Sequence, residues 1–332
     1  MRSRWSWANF LQAPTGRGVS ERMIDETLGY CPSCGAIGGV PFAQRGALRL
    51  MRCSNCSLVY LDPQPRQAVQ DRYLTKYDLA EHFQAWEQRK RVLFEGRLDR
   101  LSTPVPGANR ICDVGCADGQ FMLLARERGW ACSGIELNPP AARRARERGF
   151  EVIEGDVAAM SRLPWGQFDL VTAWDSLEHV PDAARFAEQL VRLTKREGVI
   201  MVSTLNIESL AFRIFRTGWS MVQEDHFTYW SDPSLRHLFR SAGCVVIEQS
   251  SFGLGRDFVT GLDRGEQALR SVRRLLGRGA KRQSTRTEGA RSWDVNVGVL
   301  RAEWLLNRLL SATNSGVDVT CVARRVTVGS PA

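Results

Sequence analysis

Short apolar runs and helical apolar stripes alternate through the middle of the chain. Arg110 to Val114, Ala131 to Glu136 and runs near 150, 168 and 198 are brief and rich in β-branched and aliphatic residues, as buried strands are. Between them, stretches near 120, 140, 182 and 233 place apolar residues three and four apart, which predicts amphipathic helices. Strands alternating with helices predict an α/β fold with a doubly wound parallel sheet. Cys244 to Ser250 predicts a sixth strand and Asp318 to Val326 a seventh, with a helical pattern over 261–312 inserted between them.

Upstream, Gln67 to Leu101 has helical spacing, with Tyr73, Tyr77, Phe83, Trp86 and Phe94 mostly three, four or eight apart. Such aromatics are usually core; as a lid, this helix would turn Tyr73 or Tyr77 toward a pocket. Ser102 to Gly107, with two prolines and a glycine, reads as a linker. The expected organisation is a disordered basic tail over 1–22, a cysteine-bearing ribbon over 23–66, a helical connector over 67–101 and the α/β domain over 102–332.

The turn after the first strand of that domain reads Val114-Gly115-Cys116-Ala117-Asp118-Gly119. Gly115 and Gly119 let a strand reverse into a helix while the backbone closes on a ligand. A dinucleotide site would read G-x-G-x-x-G before a pyrophosphate, but the third position here is Ala117. Asp113 and Asp118 also stand where they would repel phosphate oxygens. A cofactor with an ammonium and a sulfonium but no phosphate removes that conflict, and S-adenosylmethionine is one. Glu136, 21 residues after Gly115, ends the second strand, where an acid accepts from ribose hydroxyls.

The stretch resembles motif I of the class I S-adenosylmethionine-dependent methyltransferases, and Glu136 resembles their motif II acid. Gly155-Asp156-Val157 and Phe168 to Val180 follow in the order that family shows. The resemblance implies a seven-stranded methyltransferase sheet, with Asp156 on the adenine amino group and Trp174 and Asp175 on the methionine side. The implied cofactor pocket comprises Asp113, Gly115, Cys116, Ala117, Gly119, Phe121, Glu136, Leu137, Asp156, Val157, Trp174 and Asp175.

Four of the nine cysteines form a second pattern. Cys31-Pro32-Ser33-Cys34 and Cys53-Ser54-Asn55-Cys56 are separated by 18 residues, the spacing of a four-thiolate zinc ribbon. Gly35 supplies the tight backbone of the first knuckle, and Leu48 to Met51 leads into the second. A closed four-cysteine site is structural, so zinc here should stabilise a small N-terminal module. The other cysteines, Cys112, Cys116, Cys132, Cys244 and Cys321, fall in or beside strands as small buried hydrophobes.

The net charge of +9 raises nucleic acid as a partner, but its distribution argues against it. Residues 1–22 carry +3, and residues 256–291 carry ten Arg or Lys against four acids, so the remainder sums to zero. A nucleic-acid enzyme spreads basic surface around its catalytic mouth; here the excess lies in a tail and in Arg270 to Arg291. Asn138-Pro139-Pro140 follows the second strand, whereas the N-P-P-Y loop of amino-methylating DNA enzymes follows the fourth. There the chain reads Trp174-Asp175-Ser176-Leu177. No apolar run reaches the ~18 residues of a membrane span, and a cytoplasmic location is expected.

Methyl transfer needs at most one base to take a proton from the acceptor. Of the four histidines, His82, His179, His226 and His237, His226 is the first candidate. It stands in Glu224-Asp225-His226-Phe227-Thr228-Tyr229-Trp230-Ser231, after the fifth strand, with Asp225 or Glu224 available to orient the ring. With the ribbon, this segment resembles the zinc-containing sugar C-methyltransferases and related polysaccharide and natural-product enzymes, whose acid-His-Phe run supplies the base. His179, in Glu178-His179, is the second candidate. Trp219 is read as a wall of the acceptor site or as core.

The function expected is methyl transfer to a small molecule: a nucleotide-activated sugar, a glycan or a secondary metabolite, on carbon or oxygen. An RNA methyltransferase gripping phosphates through the ribbon and Arg270 to Arg291, and a non-catalytic cofactor-binding protein, are the alternatives.

Overall fold

The computed structural model describes residues 29–64, 91, 94–99, 110–163, 166–253 and 309–326. The tail, Tyr73, Tyr77, His82, the linker and most of the 261–312 insertion lie outside them. Within 309–312 the chain is helical.

The seven-stranded sheet is built from β4 (Arg110–Val114), β5 (Ala131–Glu136), β6 (Glu151–Glu154), β7 (Phe168–Trp174), β8 (Thr194–Leu205), β10 (Cys244–Phe252) and β11 (Asp318–Arg325). Its spatial order is β10-β11-β8-β7-β4-β5-β6. Strands β6, β5, β4, β7 and β8 run parallel, and β11 enters antiparallel between β8 and β10. Because chain order reverses at β4, with β5 and β7 on either side, the carboxyl ends of β4, β5 and β7 open a crevice at the switch point. Central β7 has both faces covered, and only Asp169 along it is not fully buried, which accounts for its near-continuous apolar run.

The helices are amphipathic and capped where the chain supplies the residues. Helix α1 (Gln120–Glu127) starts from Gly119, and α2 (Pro139–Glu147) is capped by Asn138, whose side chain accepts from the Ala141 N–H. Helix α3 (Ala183–Leu193) is capped by Asp182 and buries Ala183, Phe186, Ala187, Leu190 and Leu193, spaced as one helical face. After a short helix α4 (Leu210–Phe215), α5 (Asp232–Ser241) begins with a capping box of Ser231 and Ser234.

The cysteine ribbon departs from expectation. Strands β1 (Gly39–Arg45), β2 (Leu48–Cys53) and β3 (Val59–Leu61) form an antiparallel meander, but a fourth strand, β9 (Thr228–Tyr229), completes the sheet in the order β1-β2-β3-β9. Val59 pairs with Tyr229 and Tyr60 with Thr228. The ribbon is therefore not a module packed beside the α/β domain: it shares a sheet with the segment that follows His226. Cys31, Cys53, Cys56, Leu58 and Tyr60 join one core cluster with Leu177, Ala183 and Trp230. A two-residue strand shows no alternation in the sequence, because only its pairing defines it. Among the described residues, no helix is long and apolar enough to cross a membrane.

Candidate active site

The glycine turn closes on the end of β5. Gly115 has φ +77° and Gly119 has φ +84°, backbone that glycine adopts without strain. A Cβ on Gly115 would also collide with the Ser176 hydroxyl. The Gly115 and Cys116 N–H groups both donate to the Ile135 carbonyl, at 2.8 and 3.1 Å. Ala117, at φ +50°, donates its N–H to Glu136 Oε2 at 2.8 Å, while Oε1 accepts from the Asn138 N–H at 2.7 Å. Glu136 thus joins the two loops that border the crevice. Asp113, buried beneath, accepts from the Thr172 hydroxyl at 2.7 Å.

Asp118 corrects the expectation that it faces the ligand. Its carboxylate is buried and ion-paired with Arg148 at 3.0 Å, and its carbonyl accepts from the same guanidinium at 2.8 Å. It joins the turn to the end of α2. Phe121 packs edge-on against Phe94 and Trp174, with ring centroids 5.4 and 5.0 Å apart; its contacts are with the core and with the base of Trp174. Cys116 is buried, Leu137 is half-buried beyond β5, and Val157 is buried after β6. Asp156 accepts from the Ala158 N–H through Oδ1 at 2.8 Å.

On the methionine side, Trp174 ends β7 and Asp175 follows it at φ +50°. Asp175 accepts from the Ser203 hydroxyl at 2.6 Å. Opposite stands Arg97, which sequence reading missed. It is buried, lies 4.0 Å from Asp175 Oδ1, and has its guanidinium carbon 4.5 Å from the Trp174 ring and 4.8 Å from the Phe252 ring. The signal for it was available: a charge between Phe94 and Leu98, on the apolar face of a helix. Burial, and then the nearby Asp175 charge, push the Asp318 carboxyl up to about 8, with Arg97 opposing.

Several buried polar atoms around this crevice have no hydrogen-bond partner among the described residues: Asp156 Oδ2, Trp174 Nε1 and the three guanidinium nitrogens of Arg97. Buried polar groups are ordinarily satisfied. An acceptor at Asp156 and donors at Arg97 and Trp174 match an adenine amine at one end and a carboxylate at the other. Together with the glycine cradle, they fit S-adenosylmethionine.

The second candidate group lies beyond β7. Glu178 and His179 sit on a single 3-10 turn, Leu177–His179, and His226 precedes β9. The two imidazole centroids are 4.9 Å apart. His179 and His226 were read as alternatives; the fold brings them together with Glu178, their ligand-capable atoms all within 4.8 Å of one another. His179 Nδ1 meets the Asp225 carbonyl at 2.5 Å, and His226 Nδ1 meets the Met221 carbonyl at 2.7 Å. The contribution of Asp225 seen here is thus its carbonyl, on His179. The Gln223 amide nitrogen lies 3.3 and 3.2 Å from Nδ1 and Nε2 of His226, against the ring. Glu178 accepts from the Thr204 hydroxyl at 2.8 Å, and burial, followed by the Asp175 charge, pushes its carboxyl well above the usual range.

Main-chain bonds tie this group to the ribbon. The Phe227 N–H donates to the Glu178 carbonyl at 2.7 Å, and the Leu61 N–H donates to the Phe227 carbonyl at 2.8 Å. Trp219 is fully buried in a cluster with Phe212 and Tyr229, so it is core and not a wall of the acceptor site. His237 lies within α5.

The four ribbon thiols converge. Cys31 and Cys56 sulfurs are 3.6 Å apart, Cys34 and Cys53 are 3.5 Å apart, and all four lie within 4.8 Å of one another. Sulfurs on a tetrahedral zinc sit about 3.8 Å apart. The Asn55 and Cys56 N–H groups point at Cys53 Sγ at 3.4 and 3.5 Å. The Cys31 thiol pulls Cys56 down to about 5, while the same contact pushes Cys31 up and burial pushes Cys53 up. Gly35 and Ser57, each following the second cysteine of a pair, take φ +71° and +64°.

Residues 85–249 match the family described as "Methyltransferase domain". The chain is similar to a 2-methyl-6-phytyl-1,4-hydroquinone methyltransferase of Synechocystis sp., 33% identical over 117 residues, covering 33% of this chain and 35% of that protein. It is also similar to a ubiquinone biosynthesis O-methyltransferase of Xylella fastidiosa, 33% identical over 129 residues, covering 37% of this chain and 52% of that protein. The chain thus spans about half, or less, of the length of these relatives. A SAM-dependent methyltransferase from Archaeoglobus fulgidus superposes on 74% of this chain and 99% of its own, at a TM-score of 0.49 and 19% identity. The glycine turn and the five parallel strands, β4 to β8, fall inside the matched segment, and over residues 85–249 the chain carries a class I S-adenosylmethionine-dependent methyltransferase domain.

Proposed function

We propose that the protein transfers a methyl group from S-adenosylmethionine to a small-molecule acceptor bound against Glu178, His179 and His226. The observation that carries this reading is the position of that group, beside the end of β7 and next to the crevice of the glycine turn. The cofactor, when bound, would supply a methyl on a sulfonium, with a neutral thioether as the leaving group. Asp113, Gly115, Cys116, Ala117, Gly119, Glu136 and Leu137 form the cradle at its ribose, and Asp156 with Val157 receives the adenine. Trp174, Asp175 and Arg97 hold the methionine end, the guanidinium taking the carboxylate. The acceptor gives up one proton as it takes the methyl, and that proton leaves through the group that contains His226.

The acceptor fits the class of nucleotide-activated sugar, glycan or secondary metabolite. The named relatives act in quinone chemistry, one as an O-methyltransferase, which supports an acceptor carrying hydroxyl groups. Cys31, Cys34, Cys53 and Cys56 hold a structural zinc ion, with all four ligand positions taken by thiolate. The protein works in the cytoplasm.

The test is calorimetry beside turnover of labelled cofactor. Asp113→Asn and Glu136→Ala are expected to weaken S-adenosylmethionine binding with the fold intact. His226→Ala is expected to leave cofactor affinity unchanged and cut turnover by ~10²–10⁴. Unchanged cofactor affinity in the first pair would sink the pocket, and normal turnover in the last would remove His226 from the chemistry.

A further inference from the structure

We propose that Glu178, His179 and His226 hold a divalent cation, and that the acceptor presents two neighbouring oxygens to it. The inference rests on the reading that this group faces the acceptor. Apart from the ribbon cysteines, these three are the one set of His, Cys, Asp and Glu among the described residues whose ligand atoms converge within 4.8 Å.

Two further observations favour a cation. In both imidazoles Nδ1 meets a main-chain carbonyl, Asp225 for His179 and Met221 for His226. A carbonyl only accepts, so Nδ1 carries the hydrogen in both rings, the tautomer that ligand histidines adopt through their outer partners; at His226 the Gln223 amide nitrogen, 3.2 Å from Nε2, is the group a cation would displace. Glu178 is oriented in the same manner by the Thr204 hydroxyl on Oε2.

The ligand set is held by the fold and not by side-chain packing alone. Glu178 and His179 share one turn, and the His226 segment is pinned to it by Phe227 N–H to the Glu178 carbonyl and by the Thr228 hydroxyl to the Leu177 carbonyl at 3.2 Å. Two imidazoles and one carboxylate form a mixed nitrogen and oxygen set, which suits Mn²⁺, Fe²⁺, Co²⁺ or Zn²⁺ and leaves coordination positions open. The ribbon, by contrast, is all thiolate and closed. More than one remaining position would favour a chelating acceptor, such as a vicinal diol or a hydroxyl beside a carbonyl, over a lone alcohol.

The experiment uses the full chain with the ribbon preloaded with zinc, titrated with Mn²⁺ and followed by loss of the free-ion electron paramagnetic resonance signal. One Mn²⁺ per chain is expected to bind, and Glu178→Gln, His179→Ala and the milder His179→Gln are expected to weaken it by more than about 10-fold. Retained S-adenosylmethionine affinity certifies that each variant is folded. No bound Mn²⁺, or binding indifferent to folded Glu178 and His179 variants, overturns the cation. If that happens while His226→Ala still abolishes turnover, the acceptor-site reading stands without it. If Mn²⁺ binds as expected but His226→Ala turns over normally, the acceptor-site reading is what fails. Adding catechol or phenol as probes tests the second half: catechol alone is expected to reduce the water relaxation enhancement of bound Mn²⁺, and equal effects would overturn the preference for two oxygens.

Discussion

The cofactor crevice and the acceptor group lie on one sheet but are assembled in opposite ways. From Asp113 to Asp156 the crevice is drawn from consecutive strand ends, each turn bonded to the next, as in Ala117 to Glu136 and Gly115 to Ile135. The acceptor group draws Glu178 and His179 from one turn, His226 from a loop after α4, Thr204 from β8, and its outer support from the ribbon at Leu61. A pocket built from neighbours tolerates damage elsewhere in the chain. A group built from distant segments inherits the stability of each of them.

Stripping metal from the ribbon should break this contrast most strongly. Chelation, or Cys53→Ser, is expected to unfold the β1-β2-β3 meander, because structural zinc sites contribute folding free energy outright. Hydrogen exchange should then speed up at the Phe227 and Tyr229 amides and turnover should be lost, while S-adenosylmethionine affinity changes less than about threefold. Equal loss of cofactor binding would show that the two halves are not separable. Next in size, Gly115→Ala should weaken cofactor binding more than about 10-fold, since it meets both the Ser176 hydroxyl and a positive φ. Pairing it with Ser176→Ala should restore part of the loss, and calorimetry on the double variant reads it. The smallest effect is expected at the Asp118 pair, where Arg148 is about one-third exposed. Arg148→Ala leaves the buried Asp118 carboxylate without its partner and should cost about 1–3 kcal/mol of stability in urea titrations with unchanged cofactor affinity.

The same contrast governs what the sequence reveals. Gly115, Gly119, Glu136 and the cysteine spacings are legible because each signal is local: a turn needs glycine at a given offset, and a knuckle needs two thiols three apart. The alternation of strands and helices is legible for the same reason. His226 and His179 could be named singly, but nothing in the chain says that they meet, since loop length and sheet topology decide it. Arg97 was hidden because a buried guanidinium makes sense only against Asp175 and Trp174, about 80 residues away. Asp118 was misplaced because its proximity to the turn says nothing of Arg148.

The pairing of β3 with β9 also has a consequence in time. Tyr60 meets Thr228 and Val59 meets Tyr229, so as the chain is synthesised one edge of the β1-β2-β3 meander lacks its partner until almost 170 further residues have emerged. An open edge is where strands of different molecules find each other, and distant pairings form late. Early metal capture by the two knuckles would keep that edge in register while it waits, which makes metal supply during synthesis, and not only in the finished protein, a condition for a high yield of folded chain.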